Sequence, residues 1–221
     1  AARDFGAQSL GIEFNANLAK YARCLVEAVA VADKVRIVQG DIFKEDFSKA
    51  TVITMYLLPE LNLCVRHRIA SMAPGTRVVS HQFKMGDWQP DQTAEVEYRT
   101  AFLWIVPAQV EGTWSLKVPG EPPALVTLTQ RFQQIGGELR IKGKSQSLVD
   151  AKLRGDQIQF AYIDHHQVRR TFSGRVQNTS WTGSVRAASG GEVSATASTH
   201  AVKPGTWTQR LASCERFYSG K

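Results

Sequence analysis

Two carboxylates and a pair of ring-bearing side chains are the residues of this chain best placed to do chemistry. Glu13 ends the stretch "SLGIE", Asn15 stands two positions on, and Asp41 ends "VRIVQGD", 28 residues after Glu13. An acid at the carboxyl end of a parallel strand projects over the sheet edge, where it can accept two hydrogen bonds from the hydroxyls of a ribose. Asp41 sits in a Gly-Asp-Ile-Phe ending. That ending sets a carboxylate and a backbone N–H where a purine would lie, with Ile42 and Phe43 to flank its ring. Further along, "TMYLLPELN" offers Tyr56, Pro59 and Asn62, and "TRVVSHQF" offers His81. Tyr56 and Asn62 are weak bases suited to orienting an amine. A neutral His81 imidazole can take up a proton. The pair in "DHHQ" (164–167) invites a metal reading, but adjacent strand residues point to opposite faces and the stretch reads as a hairpin turn, so no metal site is expected. No serine elbow, H-E-x-x-H or P-loop occurs.

The elements that must hold these residues alternate through the first half. "QSLGIE" reads as a strand. Asn15 can cap the following helix, in which Leu18, Ala22, Leu25 and Val29 recur at helical spacing. "KVRIVQGD" is the next strand. "ATVITMYLL" is a near-continuous apolar run, as expected of a strand covered on both faces. Pro59 sits where a helix tolerates it best, at the first helical position. Leu61, Val65, Ile69 and Met72 line one face of that helix, "APG" ends it, and "TRVVSHQF" is a fourth strand.

From about residue 94 the pattern changes. "AEVEYRTAFLWIVP" alternates over its whole length and reads as one long strand, against which "GTWSLKV" can pair antiparallel. After "PGEPP" (119–123) come short strands between glycine-bearing turns, the signature of an antiparallel meander, sandwich or small barrel. The expected domains are therefore 1–118, α/β, and 124–203, antiparallel β, followed by a tail with a short helical turn.

This α/β segment, "GIEFNANLAKYAR", "VRIVQGDIF", "ATVITMYLLPELN" and "APGTRVVSHQF", resembles a class I (seven-strand) S-adenosyl-L-methionine-dependent methyltransferase. "VITMYLLPELN" with "GTRVVSHQF" and "GDWQPD" is most similar to the bacterial relatives of small protein-lysine methyltransferases. The resemblance implies a Rossmann-like doubly wound sheet, with Glu13 and Asn15 at the cofactor ribose and Asp41 and Ile42 at its adenine. It places Tyr56, Pro59 and Asn62 at the methyl acceptor, a protein lysine or another amine, and makes Tyr56 and His81 the catalytic candidates. The family's first strand and its D/E-x-G-x-G-x-G loop are not found in the 221 residues. In the family's strand order that strand lies between "SLGIE" and "TVITMYL". The sequence accordingly reads as the C-terminal piece of a longer polypeptide, inactive by itself. The alternative is that a partner or a swapped segment supplies the strand.

The chain carries 27 Lys and Arg against 20 Asp and Glu, a net charge of +7, and the whole excess lies beyond residue 100. Arg140, Lys142, Lys144, Lys152, Arg154, Arg169, Arg170 and Arg175 fall in the β-rich part. This asymmetry suggests that the β-rich part faces the cleft near Tyr56 and presents acidic macromolecules to it. A non-enzymatic binding module, its basic β domain recognising an acidic partner or nucleic acid, is the alternative to an enzyme. A nicotinamide-dependent dehydrogenase is a third reading, disfavoured by the Gly-Asp-Ile ending. Three scattered cysteines and no apolar run near the roughly 18 residues of a membrane span suggest a reduced, cytoplasmic setting with no disulfide framework. Oligomeric state is not legible.

Overall fold

The computed structural model describes residues 1–219. It contains two compact units, one made of residues 1–50 with the stretch from Leu211 onward, the other of residues 51–210.

In the first unit, α1 (Ala2–Phe5) precedes β1 (Ser9–Glu13), α2 (Ala16–Ala28) and β2 (Val35–Gln39). The strands pair in parallel, Ser9 opposite Val35 through Glu13 opposite Gln39. Gly11 allows their side-chain layer to close up, since a Cβ there would lie 2.7 Å from Ile37 Cδ1. Asn15 caps α2 as expected, its Oδ1 accepting from the N–H of Asn17 (2.9 Å) and Leu18 (3.2 Å). The buried face of α2 differs from the expected one. Ala19 is buried, Ala22 and Val26 are half-buried, and Leu18, Leu25 and Val29 stay exposed. The small residues let the helix axis approach the two strands, and the larger stripe points away from them.

The second unit starts with β3 (Val52–Met55), α3 (Pro59–Ala70), β4 (Arg77–His81), β5 (Gln92–Val96) and β6 (Arg99–Ile105). Their sheet has the order β3-β4-β6-β5. β3 and β4 are parallel, and β6 runs antiparallel to both β4 and β5. Pro59 opens α3, and Cys64, Val65, Ile69 and Ala70 are buried along it. The stretch expected to be one long strand is a hairpin. It folds back at Glu97 and Tyr98, which both take positive φ (46° and 65°).

The remaining strands are β7 (Gly112–Lys117), β8 (Ala124–Arg131), β9 (Gln134–Ile141), β10 (Lys144–Ser147), β11 (Val149–Arg154), β12 (Gln157–Ile163), β13 (Arg169–Gln177), β14 (Ser180–Ala187) and β15 (Glu192–Ser198). "GTWSLKV" does not pair with β6; as β7 it pairs with β8 and β15. Apart from β10 and β11, which do not pair with each other, every strand in this set lies beside its sequence neighbours, and the β15–β7 ladder joins the last strand to the first. The chain from Lys144 to Arg154 closes the ring. Its first half pairs with β9 and, past Leu148, its second half pairs with β12. At the bend the Gln146 amide does the work of a backbone peptide, donating to Ile163 O (2.6 Å) and accepting from Ile163 N (2.7 Å). Counting β10 and β11 as one bent strand gives an eight-stranded up-and-down barrel, the size at which side chains fill the interior. Trp114 and Trp181 stack at 4.2 Å inside it, with Phe160 and Phe172 against Trp181.

The barrel adjoins the sheet at the amino ends of β3 and β4. Gly155, in the β11–β12 turn, accepts from Ala108 N (2.8 Å), and a Cβ there would fall 3.1 Å from Gly75 Cα, just ahead of β4. Trp88 supplies a second anchor. It stacks on Phe132 of the β8–β9 turn (5.2 Å, 6°) and donates to Gln133 Oε1 (2.9 Å). Tyr56 and His81 are at the opposite, carboxyl ends of β3 and β4, so the expectation that the basic barrel faces them is wrong. Three of its eight named basic residues are already engaged, Arg169 with Asp150, Arg170 with Asp164 and Arg175 with Asp156. The cysteines also depart from expectation: Cys24 is free and exposed, whereas neither Cys64 nor Cys214 is a free thiol.

Candidate functional site

In the first unit, the parallel register sets Glu13 and Asp41 side by side. Glu13 ends β1 opposite Gln39, and Gly40 N donates to Glu13 O (3.0 Å), so the chain leaves β2 beside the end of β1. Each carboxylate has one oxygen held by a nearby amide. Glu13 Oε1 accepts from Asn15 N (2.7 Å), and Asp41 Oδ1 accepts from Phe43 N (2.9 Å). These bonds fix both side chains over the carboxyl edge and leave Glu13 Oε2 and Asp41 Oδ2 as further acceptors. Glu13, Asp41 and Ile42 are half-buried and Asn15 is exposed. Phe43 is placed differently from its expected ring-flanking role: it is buried against Phe217 and Tyr218 of the helical turn Glu215–Tyr218, with centroids 5.0 Å away in each case.

In the second unit, Tyr56 follows β3 and is exposed, its ring 4.9 Å from that of half-buried His81 at the end of β4. Parallel pairing of Met55 with Ser80 brings the two together. Pro59 is exposed at the start of α3. Asn62 is fully buried. Its Nδ2 donates to Ser80 Oγ (2.9 Å) and Phe83 O (3.1 Å), while its Oδ1 has no partner among the described residues. Thus Glu13, Asn15, Asp41 and Ile42 gather in one unit, and Tyr56, Pro59, Asn62 and His81 in the other.

Sequence reasoning missed Arg66 and Asp87. One helical turn after Asn62, Arg66 is buried, donates to Met85 O (3.1 Å) and pairs with Asp87. Asp87 also accepts from Arg131 (2.5 Å). Burial pushes the Asp87 carboxyl up, but the Arg131 and Arg66 guanidinium groups outweigh it and hold the carboxyl below its usual range. Asn62 and Arg66 together fasten the segment that follows His81. The available signal was their i, i+4 spacing on a face otherwise made of Cys64, Val65 and Ile69. Among the described residues no group of three or more His, Cys, Asp or Glu is arranged to hold a metal, and no helix is long and apolar enough to cross a membrane.

Parallel strand pairs alternating with helices make this an α/β protein, with a β-barrel following in the chain. Comparison with known proteins narrows the class. Residues 1–92 match the family model of the ANTKMT methyltransferase domain. A protein-lysine N-methyltransferase of Saccharolobus islandicus is 35% identical over 112 residues, covering 48% of this chain and 70% of the relative. A crystal structure of an RNA methyltransferase from Salinibacter ruber with S-adenosyl-L-homocysteine is 44% identical, covering 49% of this chain and 72% of that one, with a TM-score of 0.48. The chain belongs to the S-adenosylmethionine-dependent methyltransferases.

Proposed function

We propose that the α/β part, within residues 1–118, transfers a methyl group to the side-chain amine of a protein lysine, and that residues 124–203, closed into a barrel by β7, form the β domain. The observation that carries the cofactor assignment is the paired placement of Glu13 and Asp41, each with one carboxylate oxygen locked and the other available. Such a double-acceptor edge fits a ribose diol beside an exocyclic amine. Glu13, oriented by the Asn15 amide, accepts from the ribose hydroxyls. Asp41 accepts from the adenine amine, and Ile42 packs on the ring.

When bound, S-adenosylmethionine supplies an electrophilic methyl group on a sulfonium. An amine acceptor must then be neutral, in line with the methyl and shielded from water. Tyr56 and Pro59 supply an exposed wall for the aliphatic stem of the acceptor. Asn62 sets the position of the segment after β4 through Phe83 O, and His81 takes the proton released by the amine. The support for a lysine acceptor is the Saccharolobus relative, named for that activity.

The test is calorimetric titration of the full-length polypeptide with S-adenosylhomocysteine and with NAD, paired with methyl transfer to a lysine peptide. S-adenosylhomocysteine should bind. Glu13→Gln and Asp41→Asn should each weaken it by about tenfold, since a hydrogen bond to a charged group contributes about 1.5–3 kcal/mol. Binding of NAD alone would overturn the assignment. Transfer to a non-amine acceptor in preference to lysine would overturn the acceptor.

A further inference from the structure

The outer strand of the four-stranded sheet is an open edge beside the proposed acceptor site. β5 pairs with β6 on one side, in unbroken register from Gln92–Leu103 to Val96–Arg99, and among the described residues with no strand on the other. All five of its residues are exposed. Exposed edges are normally guarded by charged side chains, above all lysine, by proline or by a bulge; "QTAEV" has no lysine, proline or bulge, and its one charge is Glu95. A two-residue turn makes Val96–Arg99 a hydrogen-bonded closing pair, so the amides of Ala94 and Val96 face β6 while those of Thr93 and Glu95 face outward.

Two further observations bear on what would pair there. The turn is made by Glu97 and Tyr98, both at positive φ, where Asn-Gly is the unstrained choice. The strained tip holds Tyr98 fully exposed and Val96 largely so. It lies beside His81, since Gln82 N donates to Thr100 O (2.7 Å) and Thr100 N donates to Gln82 Oε1 (3.0 Å). The charges point the same way: Glu95 on the strand and Glu97 in the turn are both exposed, and among the described residues neither forms an ion pair. The chain as a whole is basic, so an unpaired acidic pair at this edge is complementary to a basic segment.

The geometry points to β5 as a docking edge on which an extended, lysine-bearing segment of the protein substrate adds as an extra strand, with its basic side chains toward Glu95 and Glu97 and Tyr98 at its end. This rests on the lysine reading above and specifies how the substrate is held. Backbone pairing recognises extended chain rather than sequence, and alternate side chains supply the preference. A strand added to β5 lies three interstrand spacings from β4, about 14 Å from His81 by strand geometry. At about 3.3 Å per residue, the methylated lysine then sits about four or five residues beyond the docked stretch, past Tyr98.

The probe is a 12-residue peptide of alternating lysine and threonine, with a copy N-methylated at every second amide. Binding is read by fluorescence anisotropy on the full-length protein, alongside methyl transfer and amide hydrogen exchange. The expected result is binding that falls about tenfold for the N-methylated copy, for Glu95→Lys/Glu97→Lys and for Thr93→Pro, with Thr93 and Glu95 amides protected by the unmodified peptide. If Thr93→Pro does not fold, the N-methylated peptide and the charge reversal carry the test. No binding, or binding indifferent to all three changes, overturns the docking edge. Methyl transfer with unchanged KM in the variants overturns docking while upholding the lysine acceptor. The expected binding pattern without methyl transfer upholds docking and removes the lysine acceptor.

Discussion

Replacing Asp87 by asparagine should cost this protein more than replacing its buried partner. The Arg66 side chain is 7% exposed and that of Asp87 is 49% exposed. Asp87→Asn removes the charge but leaves the Arg66 guanidinium buried, with Met85 O and the face of Phe132, 5.3 Å away, as its remaining contacts. Orphaning one member of a buried pair costs about 3–5 kcal/mol. Water reaching the half-exposed Asp87 position lowers this to about 2–3 kcal/mol. Losing Arg131 as a partner adds little, since that side chain is 66% exposed. For a chain of this size the melting temperature should fall by about 4–12 °C. Arg66→Met leaves an aspartate that water and Arg131 can satisfy, so it should cost about 1–2 kcal/mol. The double variant should be no less stable than Asp87→Asn alone, because it no longer buries an unpaired cation. Urea unfolding followed by fluorescence suits the measurement, because Trp88 is fully buried on the same anchor. Asp87→Asn within about 0.5 kcal/mol of the parent protein, or two substitutions that add, would refute the buried-charge reasoning.

Three other outcomes are expected. Gly137→Ala should destabilise the barrel by about 3 kcal/mol or more, since φ there is +153° and a Cβ would lie 2.0 Å from Thr127 O; chemical denaturation reads this. Burial, with Glu121 nearby, pushes the Tyr162 hydroxyl up to about 12. An acid whose folded value is raised contributes stability that is complete below its unfolded value near 10 and is lost as pH climbs through 12. Stability should therefore drop between pH 10 and 12, and Tyr162→Phe should flatten that part of the curve. Gln146→Ala should speed hydrogen exchange at the Ile163 amide and cost about 1–2 kcal/mol, because it removes two hydrogen bonds at the bend.

Much of the α/β part was legible because its signals are local. Asn15 is a cap, Pro59 starts a helix, and apolar runs before Glu13, Asp41, Tyr56 and His81 mark strands that end at or just before these residues. The β5–β6 hairpin was not legible, since Glu97-Tyr98 carries none of the usual turn residues and the alternation of Phe102 and Trp104 continues the pattern of Val96 across the turn. The placement of "GTWSLKV" depends on ladders to β8 and to distant β15, which no local pattern encodes. Alternation correctly predicted an antiparallel β region. It could not distinguish a sandwich from a barrel, because that choice rests on where the Lys144–Arg154 segment changes partner. The candidate site residues were chosen by type and strand position. Arg66 was overlooked because a cation on an apolar helix face reads as solvated until its acceptors are seen.

Closure of the barrel through β15 and β7 has a consequence for how the chain reaches its fold. Each of the other ladders joins neighbours in sequence, whose contacts cost little loop-closure entropy. The closing ladder has three residue pairs, Lys117–Thr196, Leu116–Ala197 and Ser115–Ser198, against eight between β13 and β14. It joins residues roughly 80 positions apart. The meander therefore assembles first as an open, curling sheet and zips shut last, and the same seam is the first to part in native-state fluctuations. Until Leu116 meets Ala197, β7 and β15 each present an unprotected edge to solvent. Aggregation during refolding should accordingly be governed by these two strands and not by the α/β half.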